Sequence, residues 1–392
     1  MKENNILKII ITSIIIILLL LVVLSSYSFS IYGIRENINV GLMINIKSFK
    51  VCSSNDLFIT SKNNEKITFP KNTLIDVNYI NNGYVSMGNY NLTLPVKIET
   101  TCNNNLIYIS NKPYHGILIV KENSSCNGIN VINILSIEEY LKGVIPKEAS
   151  CNWPIEALKV QAIISRTYAI ANFNKHSEFD LCSTTHCQVY DGALQECRSC
   201  NMAIYSTLNE VLTYNDSVLV ETLFHSTCGG HTESPISIWN SKNPPIYLQG
   251  VECGYCSSTK YAKWDTILQE SFIRQKLSEY ENNIGKIKKI KVIEKTKFGA
   301  AKNIRITHSN GKFTINAYKF RILVDAHKIK SNFFYVIDKM DETNFYFSGE
   351  GWGHRVGLCQ NGSMVMAQKG YNYKDILLHF YPGTKIRKIS YF

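Results

Sequence analysis

Hydrophobic and polar residues change their rhythm twice along this chain. Residues Ile9 to Leu24 are apolar apart from Thr12 and Ser13, with Lys2 and Lys8 before them and Ser25, Ser26 and Ser28 after. A run of that length without a polar face predicts a membrane-spanning helix or the core of a long signal peptide, not a helix of a soluble core. No Ala-x-Ala cleavage site follows, which favours an uncleaved anchor, and the preceding lysines orient the N-terminus to the cytoplasm. Residues 1–30 are therefore expected to make a single-pass membrane protein whose remainder is extracytoplasmic, or a secreted one if the segment is cleaved.

From Ile31 onward, short β-branched and aromatic runs alternate with Asn-rich turns. Leu57 to Thr60, Thr73 to Tyr79, Asn91 to Ile98, Leu106 to Ser110 and Gly116 to Val120 read as strands. Residues 31–130 are expected to form a separate β-rich module without chemistry of its own. Near Ser136 the period becomes helical, with Ser136 and Glu139 placed as a capping box. A second helix is expected from about Asn152 to Phe173, with Ile155, Leu158, Ala162 and Ala169 as its buried stripe. Further on come a helical stretch from Cys197 to Tyr214, a strand from Val218 to His225, and helices opening at Gln360 and Tyr373. Without a regular βαβ rhythm, residues 131–392 are expected to form a mixed α+β catalytic domain.

Composition adds limits. With 392 residues, 45% hydrophobic and 19% charged, the chain has material for a sizeable core, which excludes wholesale disorder. A formal charge of +11 would attract a polyanion such as nucleic acid, an anionic membrane or a bacterial wall, but the basic residues are dispersed and do not choose among these. All twelve cysteines follow the apolar segment, so export would permit disulfides. Cys197-x-x-Cys200 and Cys253-x-x-Cys256 have the spacing of a four-cysteine zinc site or of bridged pairs.

Several side chains could carry chemistry. Glu148 lies among mostly apolar or small neighbours between two helices, where desolvation would keep its carboxyl protonated as a general acid. Arg166 projects about 50° from the centre of the second helix's stripe, so it should border the core and need a carboxylate or substrate partner. His176, Cys182, His186 and Cys187 have a spacing suited to tetrahedral zinc, although ligation by the adjacent His186 and Cys187 is sterically awkward and a Cys182–Cys187 disulfide is the alternative. Two glycine-rich runs, His225 to Gly230 and Gly349 to Gly357, could bring backbone close to a ligand, with His225, Ser226, Thr227, Trp352 and His354 offering donors and a stacking face for a sugar. Neither a dinucleotide fingerprint in βαβ context nor a Gly-x-Ser-x-Gly elbow is present, so no organic cofactor is expected.

Taken in order, the segments Tyr140 to Glu148, Glu156 to Ala169, His186 to Tyr190, Phe224 to Thr232, Trp239, Tyr247 to Val251, Gly351 to His354 and Tyr371 to Thr384 resemble the stage II sporulation protein D family of amidase enhancers and peptidoglycan lytic transglycosylases. The resemblance covers roughly residues 130–392. It implies that Glu148 is the catalytic acid/base and Arg166 a residue needed for activity. It also implies that Gln161, Ser165 and Tyr168, with His225, Ser226, Thr227, Trp352 and His354, meet the glycan. Zinc on the His176 to Cys187 loop would be structural. The expected partners are peptidoglycan glycan strands, the membrane and a cell-wall amidase, not nucleic acid. The chain departs from the family pattern at Ala149-Ser150, where Met-Pro is common, at Arg355, where Gly is common, and at Cys359, where a small or hydroxyl residue is usual. Two functions follow from the resemblance: a transglycosylase cutting MurNAc to GlcNAc bonds, or a non-catalytic wall-binding enhancer of an amidase.

Overall fold

The computed structural model describes residues 31–101, 105–125, 127–337 and 343–391. The expected anchor, residues 1–30, lies outside the described residues; within them no helix is long and apolar enough to cross a membrane. The architecture is mixed α+β.

The strand-rich segment alternates as half-buried strands should: Phe49, Val51 and Ser53 point inward along Ser48–Ser53, and Val96 and Ile98 along Val96–Thr100. These strands build a six-stranded and a seven-stranded sheet whose inward residues share one core. The single strand expected from Asn91 to Ile98 is interrupted at Leu94-Pro95. Tyr90–Thr93 ends one sheet and Val96–Thr100 joins the other, because proline has no amide for a continuous ladder.

This segment is tied into the rest of the chain at three places. Strand Ile129–Ser136, central and mostly buried on both faces, pairs antiparallel with Asn37–Ile46 and Ile117–Glu122, then runs straight into the first helix. Leu181–Cys182 adds in parallel to Asn37–Ile46, and Ile31–Ile34 pairs in parallel with the C-terminal strand Lys385–Tyr391. The core beneath the sheets continues without a break into the helices, so the segment expected to be a separate module shares its interior with them.

Eight α-helices occur among the described residues: α1 Ile137–Glu148, α2 Ile155–Ala171, α3 Arg198–Ser206, α4 Pro235–Trp239, α5 Glu270–Leu277, α6 Ala317–Val324, α7 Gln360–Gln368 and α8 Tyr373–Phe380. Ser136 caps α1 as its sequence signals, accepting from the Glu139 amide at 3.2 Å. α2 has no single buried stripe. Leu158, Ala162 and Ala169 face the core shared with α1 and α3, whereas Val160, Ile163 and Ile164 pack into a second core with Met366 of α7 and Ile376, Leu377 and Phe380 of α8. Ile155, expected in the stripe, is 38% exposed. The helix expected from Cys197 to Tyr214 stops at Ser206, and Glu210–Tyr214 is a strand beside the C-terminal one.

Between Cys256 and Trp352 the chain makes an excursion into a lobe with its own core, including Trp264, Leu268, Ile304, Phe320 and Phe347. α5 and α6 pack there with two three-stranded sheets.

Candidate functional site

Glu148 is the last residue of α1. Pro146 sits in that helix's final turn and cannot donate to it, and Ala149 is already extended. Opposite α1 runs the segment Cys187 to Gly192, which approaches so closely that a Cβ on Gly143 would stand 2.5 Å from the Gly192 carbonyl oxygen and 2.6 Å from the Tyr190 ring. Tyr190 is fixed there by donating to Asn133 Oδ1 at 2.8 Å. The approach lets the Val189 amide donate to the Glu148 carboxyl. Burial raises the pKa of this carboxyl above its ordinary value, more than the Val189 amide lowers it.

Glu148 opens on a cleft of about 390 Å³ whose walls include Tyr168, His186, Thr222, Phe224 and His354. His354 is neutral: burial pushes its pKa down to about 4, and the nearby Arg321 charge acts in the same direction. Its Nδ1 accepts from the Val356 amide at 3.1 Å, which leaves the proton on Nε2, directed at the Phe224 carbonyl. With the Trp239 and His225 rings 5.3 and 5.5 Å away, His354 forms part of the cleft wall. Tyr168 accepts from Lys175 Nζ at 2.9 Å, so its hydroxyl hydrogen is free for a ligand.

Glu148, Tyr168, His186, Cys187 and His354 thus meet in one cleft, and the other expected residues stand elsewhere. Gln161 and Ser165 are buried behind Glu148 and do not face the cleft: Gln161 Nε2 donates to Ser165 Oγ at 3.1 Å. Gln360 Nε2 donates both to Gln161 Oε1 at 3.2 Å and to the Glu148 carbonyl at 3.1 Å. Their role is to hold the backbone of Glu148. Ser226 and Thr227 are gathered by Asn361, whose Nδ2 lies 3.3 and 3.0 Å from the two hydroxyls. Trp352 is bridged to Thr227 through backbone and packs edge-on against Tyr261. His225 is buried, its Nδ1 donating to the Val356 carbonyl at 3.1 Å, and burial holds its pKa well below the ordinary value.

Arg166 is not a substrate ligand. Fully buried, it grips Glu138 with two bonds, Nε to Oε1 at 2.8 Å and Nη2 to Oε2 at 2.7 Å, and Nη1 donates to the Glu210 carbonyl at 3.0 Å. The guanidinium fork is spent on fastening α2 to α1 and to strand Glu210–Tyr214. Residues missed from sequence were Val189, Gln360 and Asn361. Gln360 and Asn361 open α7 directly after Cys359, and only the helix start signals them.

Beside the cleft, one ligand atom from each of His176, Cys182, His186 and Cys187 lies within 4.8 Å of the others, a set that could hold a metal ion. His176 Nε2 and Cys187 Sγ are 3.4 Å apart, and His186 Nδ1 is 3.4 Å from Cys187 Sγ and 3.7 Å from Cys182 Sγ. The adjacency of His186 and Cys187 is no obstacle, because the turn closed by the Cys187 amide on the Thr184 carbonyl aims both inward. Cys182 and Cys187 are free thiols, not a disulfide. Among the described residues the disulfide joins Cys151 to Cys197. Cys200 lies beside that bridge, whereas Cys253 and Cys256 converge with Cys228 and Cys359, so the two C-x-x-C pairs do not share one site as their spacing allowed.

The stage II sporulation protein family pattern matches residues 125–214, and a domain of unknown function (DUF8618) matches residues 240–357. An uncharacterized protein of Brachyspira hyodysenteriae is 36% identical over 259 residues, 65% of this chain and 68% of that relative. The amidase enhancer of Bacillus subtilis is 28% identical over 354 residues, 78% of this chain but 49% of the relative. Stage II sporulation protein D of the same organism is 27% identical over 276 residues, 66% of this chain and 76% of the relative.

Proposed function

This chain belongs to the stage II sporulation protein D family, and on that premise we propose that it is a lytic transglycosylase of peptidoglycan, acting in cell-wall remodelling. Protonated Glu148 gives its proton to the glycosidic oxygen between MurNAc and GlcNAc. As a carboxylate it then removes the proton of the C6 hydroxyl of the same MurNAc, which attacks C1 and closes a 1,6-anhydro ring. The observation that carries this reading is that Glu148, with its raised pKa, is the sole carboxylate among the described residues lining the cleft. A glycoside hydrolase that activates water needs a second carboxylate across the bond, whereas an intramolecular hydroxyl needs one residue for both steps. Tyr168 and the cleft's neutral acceptors orient the sugar.

The His176, Cys182, His186 and Cys187 set suits zinc, with two nitrogens and two sulfurs completing a tetrahedron. Zinc with four protein ligands would supply rigidity to the loop carrying Val189. Among these ligands Cys182, although burial raises it, is brought to about 7 by hydrogen bonds that include Thr184. The segment before residue 31 would keep the cleft at the outer face of the membrane.

The second reading, an enhancer that binds wall and stimulates an amidase, draws on the relative named amidase enhancer. Incubating the purified protein with glycan stripped of stem peptides, followed by mass spectrometry, separates the two. Anhydro-MurNAc ends are expected from the transglycosylase. Intact glycan together with a faster partner amidase would replace that reading with the enhancer.

A further inference from the structure

The lobe leaves the body after Cys256 and rejoins it before Cys359, and the two ends of that excursion meet at four sulfur atoms. The Sγ atoms of Cys228, Cys253, Cys256 and Cys359 all lie within 4.8 Å of one another, and all four residues are buried. Cys228 and Cys256 are 3.5 Å apart at sulfur. Four thiolates around tetrahedral zinc, each at about 2.3 Å, stand roughly 3.8 Å from one another. The quartet therefore has the size of that coordination shell.

Its surroundings suit thiolates. The amides of Cys228 and Gly362 each donate to Cys359 Sγ at 3.3 Å. Cys359 is also the N-cap of α7, where first-turn amides favour negative charge. Arg355 is buried beside the cluster, its Nε donating to the Cys228 carbonyl at 2.6 Å and its Nη2 to the His231 carbonyl at 3.0 Å. Its guanidinium also faces the buried Glu233 carboxyl at 3.6 Å, whose pKa burial raises; with that carboxyl protonated, the Arg355 charge would offset part of the net negative charge of a zinc tetrathiolate. A Cβ on Gly362 would stand 2.6 Å from Cys253 Sγ and 3.2 Å from Cys359 Sγ, so glycine leaves room for the cage.

We propose that Cys228, Cys253, Cys256 and Cys359 bind one zinc ion as a closed structural site that pins the neck of the lobe to the body. The site acts on the cleft through its neighbours. Cys359 precedes Gln360, which holds the Glu148 carbonyl, and Cys228 follows Thr227, which Asn361 holds.

The test is metal analysis of the full chain, purified in detergent without chelator. Two zinc ions per chain are expected in the wild type, one in each set. The variant Cys182→Ser/Cys187→Ser should keep about one. Cobalt substituted into that variant should give the intense thiolate charge-transfer and tetrahedral absorption of four sulfur ligands. A metal-free variant, iron in place of zinc, or peptide mapping that finds the four cysteines paired as disulfides would overturn the proposal. Should the variant fail to accumulate, the wild-type cobalt spectrum still decides: a spectrum with only a mixed nitrogen and sulfur component sinks the idea.

Discussion

Glu148 combines a helix terminus, burial and a single backbone donor, and each has a measurable consequence. Glu148→Gln keeps shape but can neither donate nor accept the proton, so cleavage of stripped glycan should fall by at least about 10²-fold while glycan binding persists. Wild-type turnover in that variant would remove Glu148 from the mechanism. Stability should respond in the opposite sense. With its folded pKa raised by burial, the native state holds this proton in a range where the unfolded chain has released it, so stability falls as pH rises through that window. Glu148→Gln should abolish that loss, visible as a higher urea midpoint than wild type at neutral pH and an equal one in acid. Arg166 behaves differently, because its fork is saturated by Glu138 and backbone carbonyls. Arg166→Lys keeps the charge but loses the paired bonds. It should cost about 1–3 kcal/mol in unfolding experiments and leave turnover per folded molecule near wild type. A stable but inactive Arg166→Lys would contradict this placement. Arg355 explains one departure from the family pattern: its φ is +67°, a left-handed conformation natural to glycine, held here by the bonds of its own guanidinium.

At the scale of elements, the approach of α1 to the segment Cys187 to Gly192 couples the cleft to the metal-ligand loop. Gly143 permits that approach, and a methyl group there meets backbone oxygen as well as the Tyr190 ring. Gly143→Ala should therefore lower cleavage and bound metal together, by roughly tenfold or more in rate, the scale of a misplaced reacting group. Metal content and turnover measured on one preparation would check it, and loss of one without the other would uncouple the two elements. Cys182→Ser tests the loop alone. If the ion is structural, the melting temperature should drop before chemistry does, because four protein ligands leave no position for substrate. Unchanged melting with metal still bound would argue against this ligand set.

Across the whole molecule, the pH dependence expected of the proposed cleavage follows from two partly buried groups in one cleft. In the proposed mechanism Glu148 starts the reaction protonated, so the rate should decline as pH rises through its raised pKa. His354 is neutral above about pH 4 because burial depresses it. Between that value and its ordinary one the unfolded chain binds a proton that the native state refuses, so its contribution to stability is lost as pH falls toward 4. Cleavage should then be greatest on the acidic side of neutrality, limited below by unfolding and above by Glu148. A rate that rises steadily to pH 9 would exclude Glu148 as the initiating acid.

Local chemistry was legible without coordinates. Ser136 and Glu139 marked the start of α1, alternating β-branched residues marked the strands, and the setting of Glu148 and the spacing of His176, Cys182, His186 and Cys187 marked a carboxyl and a ligand set. Each of these signals comes from neighbours within about a helical turn or a strand repeat, where backbone geometry links spacing to direction. The position of Arg166 beside the core was legible too, but not its partner, since Glu138 is 28 residues away in sequence. Tertiary structure alone decided that α2 is buried on most of its surface, because its two faces meet cores built by strands before it and helices after it. It alone sorted the cysteines, since Cys228 and Cys359, 131 residues apart, are brought together by the pairing of strands Phe224–His225 and Leu358–Cys359. Spacing reports which ligands are close along a chain; sheet pairing and the closure of a lobe determine which are close in space.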